Sequence, residues 1–295
     1  MRSDGKIELH MQFMLIGVPR SATTWLTTCL NQHPEIFIPI HELNYWNANK
    51  SFGLDWYHKQ FVDATNSTLL GENSSLYFAD PVMPYQIAKL FPGIKVIVLF
   101  RDPVQRAYSH YQLNLRNGKY PYKTDFLWAC KNPISPWTDF VEIGRYYTHL
   151  IRWQKVLDGN NVKPILYDDI VNKPEVVIQD IFEYLGVDKN FMPDAVNCRV
   201  GEGRGMSRYP RLARGARLIS NGLRQISGKQ WPAIKSSLLK GGMHYLRQTV
   251  YRNKITDNET NDQAACRWLR EQLIDEINSL EVLLERDLSH WKNNS

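Results

Sequence analysis

Three observations on this 295-residue chain predict a P-loop-like, three-layer α/β/α fold on a central parallel sheet. Short apolar runs alternate with helical patterns, the first run ends in a glycine-led loop that opens a helix, and the length suffices for one domain with a full core. Strand-like runs at 12–16, 95–100 and 163–167 are interleaved with helical patterns starting near 23, 103, 145 and 174. Ligands of such sheets sit at the carboxyl ends of the strands, so the residues just after each run are the first candidates for function.

The first run, Phe13-Met14-Leu15-Ile16, leads into Gly17-Val18-Pro19-Arg20-Ser21-Ala22-Thr23-Thr24-Trp25-Leu26. This nearly spells the triphosphate-binding loop G-x-x-x-x-G-K-[ST], with Ala22 in place of the second Gly and Thr23 in place of the Lys. That lysine reaches the terminal phosphates of a triphosphate, so its absence points to a ligand with a shorter 5′ chain. What an anion needs is retained: backbone N–H groups at a helix N-terminus, the hydroxyls of Ser21, Thr23 and Thr24, and the fixed charge of Arg20.

The second run, Lys95–Phe100, ends in Arg101-Asp102-Pro103 and a helical pattern carrying Arg106, Ser109 and His110. Asp102 suits the N-cap and Pro103 the first helical position. Arg101 and Ser109 then converge on a second phosphate, and a ligand phosphorylated at both ends of a ribose fits the pair of elements.

These residues resemble the sulfotransferase superfamily, which uses 3′-phosphoadenosine-5′-phosphosulfate (PAPS), and in particular its bacterial and glycan-modifying, heparan-sulfate-sulfotransferase-like branch. The loop Pro19–Leu26 is similar to the family's 5′-phosphosulfate loop, and Arg101-Asp102-Pro103 through Tyr111 to its 3′-phosphate element. His33-Pro34-Glu35 and His41-Glu42-Leu43-Asn44-Tyr45-Trp46 resemble the segment that carries the glycan enzymes' general base. Gly71-Glu72-Asn73-Ser74-Ser75-Leu76-Tyr77-Phe78 resembles G-E-K-[ST]-P-x-Y-[LF]. Segments at 144–153, 166–170 and 182–187 follow in the family's order.

The resemblance implies a sulfotransferase moving a sulfuryl group from PAPS to a hydroxyl or amine of a carbohydrate or glycoconjugate, with no metal. It implies cofactor binding by Pro19, Arg20, Ser21, Ala22, Thr23, Thr24, Trp25, Arg101 and Ser109. It assigns the acceptor's proton to Glu42, with His41 as the competing base, and stabilisation of the leaving 5′ oxygen to Arg20. Three positions depart from the family pattern: Arg20 stands for Lys, Ala22 for Gly, and Asn73 for a Lys thought to assist catalysis. His110 and His149 read as structural residues, and the tryptophans Trp56, Trp128, Trp137 and Trp153 as core, with stacking on a sugar or adenine as the alternative. The rival readings are a P-loop-like kinase using ATP and a non-catalytic binder of nucleic acid or membrane. The missing Lys and the 3′-phosphate element speak against the first, and the two ordered phosphate motifs against the second.

The charge is segregated. From Arg199 to Lys254 thirteen basic residues face one acid, Glu202, a net +12 that leaves −6 for the rest of a chain whose total is +6. This arm reads as a mostly helical lid over the acceptor, with 206–254 suited to peripheral contact with an anionic membrane; the resemblance implies that its start, with Arg204 and Gly205, closes the 3′-phosphoadenosine site, an ordinary turn being the alternative. Nucleic acid is not an expected partner. A last helix over about 262–290 presents Trp268, Leu269, Leu273, Ile277, Leu280, Leu284 and Leu288 for packing. The whole, 1–295, reads as one domain: a cofactor core over about 10–198, the lid over 199–254 and the packing helix. Cys29, Cys130, Cys198 and Cys266 lack metal-ligand or disulfide spacing and read as free thiols. No apolar stretch of membrane-spanning length or signal-peptide core is present, so the expectation is a soluble, cytoplasmic protein.

Overall fold

The computed structural model describes residues 10–64, 69–121, 123–197 and 259–292. Five parallel strands form one sheet in the order β2-β3-β1-β4-β5: β1 (Phe13–Gly17), β2 (Ile36–Phe37), β3 (Leu69–Asn73), β4 (Lys95–Phe100) and β5 (Val162–Leu166). Alternate residues of a strand face opposite sides, and here both sides are covered. Phe13, Leu15, Ile97, Leu99 and Ile165 pack against α1 (Thr23–Leu30) and α9 (Pro174–Leu185). Met14, Ile16, Val96, Val98 and Phe100 pack against α3 (Met83–Leu90), α7 (Tyr146–Val156) and the long α10 (Glu259–Leu284). The three-layer α/β/α arrangement follows from that double burial.

The strands at 13–17, 95–100 and 162–166 match the sequence expectation within a residue. β2 and β3 carry no strand signal in the sequence. β2 has two residues, and β3 is Leu-Leu-Gly-Glu-Asn, without the β-branched run that marks a buried strand. Gly71 is required by packing: a Cβ there would lie 2.0 Å from the Phe13 ring, its register partner on β1.

The remaining helices are α2 (Leu54–Lys59), α4 (Pro103–Arg116), α5 (Phe126–Lys131), α6 (Phe140–Gly144), α8 (Tyr167–Asn172) and α11 (Ser289–Lys292). The expected helix over 262–290 is interrupted. α10 ends at Leu284 because Glu285 turns left-handed (φ 51°), with Glu285 N–H donating to Val282 C=O and Arg286 N–H to Glu281 C=O, a Schellman closure without glycine. The spacing read through the break because Leu288 is buried on the other side of it.

The helix α10 packs as expected, and it also braces α4. Asp262 accepts from the Tyr108 hydroxyl at 2.8 Å, and buried Arg270 lies 3.8 Å from Asp102 and donates to the Trp291 carbonyl. Among the described residues no helix is long and apolar enough to cross a membrane, and no disulfide joins Cys29, Cys130 or Cys266. Cys198, Arg204, Gly205 and the basic arm lie outside the described residues.

Candidate active site

The chain steps from β1 outward to β2, returns through β3, and then crosses to β4 on the other side of β1. The crevice beyond the carboxyl ends of β1 and β4 is therefore where the strand order reverses, the place where open α/β sheets take their ligands. The loop 18–22 and the start of α4 form its two walls.

The first wall is strained in a specific way. Arg20 and Ala22 both have left-handed backbone, φ 74° and 69°. Ala22 is the N-cap of α1 and caps no N–H through a side chain, so the first-turn N–H groups at Thr23, Thr24 and Trp25 are left for something else. The left-handed turn explains why a glycine suits this position, and holding alanine there costs about 1–2 kcal/mol. Ser21 is fully buried and its Oγ has no hydrogen-bond partner among the described residues. A buried hydroxyl without a partner costs stability unless a ligand completes it.

The second wall behaves as the sequence predicts. Asp102 caps α4 by accepting from Val104 N–H at 2.8 Å and Gln105 N–H at 3.3 Å, with Pro103 first in the helix. Arg101 stacks on the Tyr167 ring at 4.7 Å, donates to Gln105 Oε1 at 3.3 Å and reaches the Arg20 carbonyl at 3.5 Å. Its Nε is buried without a partner among the described residues.

The two walls meet. Arg20 Nε donates to Ser109 Oγ at 3.0 Å, so the structure brings Arg20, Arg101 and Ser109 into one cluster. Burial first, then the positive charges of Arg116 and Arg101, hold the Arg20 pKa below its ordinary value; Glu42 opposes them. Arg116 was missed by the sequence reading, although it lies seven residues after Ser109 and hence on the same face of α4. Trp25 takes a different role: its indole is buried in the core and its N–H donates to the Val196 carbonyl at 3.2 Å, so only its backbone faces the loop.

Across the crevice stands the segment 41–46. Glu42 is exposed; its Oε2 accepts from Ser75 Oγ at 2.8 Å and from Asn44 Nδ2 at 3.3 Å. His41 beside it is half-buried. Behind them lies a carboxylate the sequence reading did not single out. Glu72, at the end of β3 and fully buried, accepts from the hydroxyls of Tyr57, Ser74 and Tyr77. Burial raises its pKa and the three donors pull it part of the way back. Ser74 Oγ in turn accepts from Asn44 N–H at 2.8 Å and Tyr77 Oη from Trp46 N–H at 2.9 Å, so this buried acid fixes the path of the segment that carries Glu42. Asn73 turns inward and donates to Thr27 Oγ1 at 2.9 Å.

The histidines at 110 and 149 are structural, as expected. Both are buried with lowered pKa; His110 faces Arg106, and His149 pairs through Nε2 with the Glu142 carbonyl. Trp153 is core, whereas Trp128 is 48% exposed and far from a core role. A cavity of about 580 Å³ lies at the opposite, amino edge of the sheet, lined by Met11, Leu69, Phe91, Lys95 and Leu185.

A parallel sheet of this order thus carries a cationic crevice at its switch point with an exposed glutamate across from it. Residues 10–200 match the family model described as a sulfotransferase domain, and the chain belongs to that family. It is 27% identical over 205 residues to the membrane-associated sulfotransferase kil1 of Dictyostelium discoideum, covering 66% of this chain and 43% of that protein. It is 26% identical over 182 residues to human heparan sulfate glucosamine 3-O-sulfotransferase 5, covering 59% of this chain and 53% of that one. The chain thus spans about half the length of these curated relatives. Its fold matches the crystal structure of a sulfotransferase from Alicyclobacillus acidocaldarius with a TM-score of 0.68 at 19% identity, over 97% of this chain and all of that one.

Proposed function

We propose that this chain transfers a sulfuryl group from PAPS to a hydroxyl or amine of a carbohydrate or glycoconjugate. The observation that carries the reading is the junction of the two walls: Arg20 on Ser109, with Ser21 Oγ and Arg101 Nε buried beside it and unpartnered among the described residues. Two anion-binding elements with unspent donors fit a nucleotide carrying phosphate at both the 5′ and 3′ positions better than they fit ATP. The relatives named for heparan sulfate support a glycan acceptor.

Bound PAPS supplies the sulfuryl group. Ser21, Thr23, Thr24 and the N–H groups opening α1 hold the 5′-phosphate, and Arg101 with Ser109 holds the 3′-phosphate. Arg20, in reach of the crevice and always charged, offsets negative charge developing on the departing 5′ oxygen. Glu42 accepts the acceptor's proton, with His41 as the alternative base. Sulfuryl transfer resembles phosphoryl transfer in its loose, in-line transition state, so alignment and electrostatics carry most of the rate.

The test is calorimetric titration with 3′-phosphoadenosine-5′-phosphate (PAP), with adenosine 5′-phosphate and with ATP, without and with Mg²⁺. PAP is expected to bind tightest. Preference for ATP with Mg²⁺ overturns the reading. Labelled PAPS offered with polysaccharides, simple sugars, phenols and lipids then identifies the acceptor class.

A further inference from the structure

We infer that Ser75 and Asn44 are positioning residues that hold Glu42 by one carboxylate oxygen, Oε2, and so reserve Oε1 for the acceptor's proton. The inference rests on the proposed role of Glu42 as base. An exposed glutamate ordinarily samples several rotamers about three side-chain torsions, and a base must sit within hydrogen-bond reach of the proton it takes. Here both contacts fall on Oε2, from Ser75 Oγ at 2.8 Å and Asn44 Nδ2 at 3.3 Å. Oε1 accepts from no described residue.

The two donors are themselves immobilised. Ser75 is 2% exposed, in the turn that follows β3. Asn44 adopts a left-handed backbone (φ 44°), and its polar groups are engaged on all sides. Its N–H donates to Ser74 Oγ at 2.8 Å, its Oδ1 accepts from Leu76 N–H at 3.1 Å and its carbonyl accepts from the N–H groups of Ala48 and Asn49 at 3.0 Å. With Oδ1 committed to Leu76, the amide nitrogen must point at Glu42. Ser74 is anchored on buried Glu72, so the frame runs from the core to the base without a free rotor.

Ser75 occupies the proline position of the G-E-K-[ST]-P-x-Y-[LF] pattern and Asn73 its lysine position. Asn73 donates to Thr27 and not to Glu42. This chain therefore supports its glutamate with two neutral donors instead of a nearby ammonium. Neutral donors orient the carboxylate without pairing off its charge, which keeps Oε1 a competent acceptor.

The test compares wild type with Ser75→Ala, Ser75→Thr, Asn44→Gly and Glu42→Gln. Glycine at 44 tolerates the left-handed backbone, so Asn44→Gly removes the side chain without forcing the turn. With labelled PAPS and heparan sulfate as acceptor, Ser75→Ala and Asn44→Gly are each expected to lower kcat about tenfold, the loss of one hydrogen bond to a charged group. PAP affinity and the thermal midpoint of Ser75→Ala should stay at the wild-type values, and Ser75→Thr should restore kcat. In the Glu42→Gln background, Ser75→Ala should cost nothing further. A second readout needs no acceptor: the ¹³Cδ resonance of Glu42, assigned by its loss in Glu42→Gln, should move toward that of solvent-exposed glutamates in Ser75→Ala and stay in place in Ser75→Thr. An unmoved resonance, or wild-type turnover in Ser75→Ala when Glu42→Gln is inactive, overturns the positioning role alone. A fully active Glu42→Gln removes the base itself.

Discussion

The two rims of the crevice solve opposite problems. On the rim formed by the ends of β1 and β4, Arg20 on a left-handed loop meets the positive charges of Arg101, just after β4, and Arg116, at the end of α4, and Ser21 Oγ and Arg101 Nε are buried without partners among the described residues. On the rim formed by the end of β3, Glu72 is buried with three hydroxyl donors and Glu42 is exposed with two donors on one oxygen. The first rim keeps donors in reserve at a cost in stability, as a ligand site must. The second spends them on fixing geometry. Two glutamates of one rim thereby acquire different roles: burial and saturation make Glu72 a structural anchor, and one uncommitted oxygen makes Glu42 a candidate base.

The sharpest way to break that contrast is Glu42→Gln, which should lower turnover by about 10²-fold or more with PAP affinity and thermal midpoint unchanged. A large fall in stability instead would make Glu42 structural as well. Glu72→Ala should do the reverse, destabilising the fold by about 3 kcal/mol in denaturant titration because three buried hydroxyls lose their acceptor. An effect under about 1 kcal/mol would remove its anchoring role. On the cationic rim, Arg101→Ala should weaken PAP binding by roughly 30-fold, the scale of a charge-assisted contact, while binding of adenosine 5′-phosphate barely changes. Equal losses for both ligands would detach Arg101 from the 3′-phosphate.

Two smaller effects refine the picture. Because burial raises the Glu72 pKa, folding favours its protonated form. The stability this acid contributes is complete below the ordinary glutamate value of about 4.3 and is lost as pH rises through the raised folded value. The stability of wild type relative to Glu72→Gln should therefore fall from acid to neutral pH in paired denaturant titrations. A gap that widens with pH would mean the carboxylate is held charged. Least of all, Ala22→Gly should change stability by less than about 1 kcal/mol, since relief of the left-handed strain is offset by extra freedom in the unfolded chain. A larger loss would show that the methyl packs usefully in the loop.

Much of the cationic rim was legible before folding. The loop 17–26, the cap at Asp102, Pro103 and the strand ends at Gly17 and Phe100 are local features, encoded in contiguous residues whose backbone preferences and hydrogen bonds involve near neighbours. The acidic rim was legible only by resemblance, and then only as Glu42 with His41. Glu72 draws its donors from Tyr57, Ser74 and Tyr77, and Glu42 draws one of its two from Ser75, 33 residues away. β3 itself escaped notice because its glycine serves the Phe13 ring and not a turn.

By itself the sequence determined the parallel α/β architecture, the glycine-led loop and the Arg-Asp-Pro strand end, and the segregation of charge along the chain, because each is written in periodicity, caps or composition over short stretches. The tertiary structure alone decided that Arg20 meets Ser109, that Arg116 joins their cluster, that Trp25 belongs to the core and that one glutamate is sealed while another faces the crevice. Those outcomes depend on which distant residues the sheet order brings side by side, and on the burial that follows. A side chain's chemistry is set by its neighbours, and here the neighbours come from strands and helices far apart in the chain.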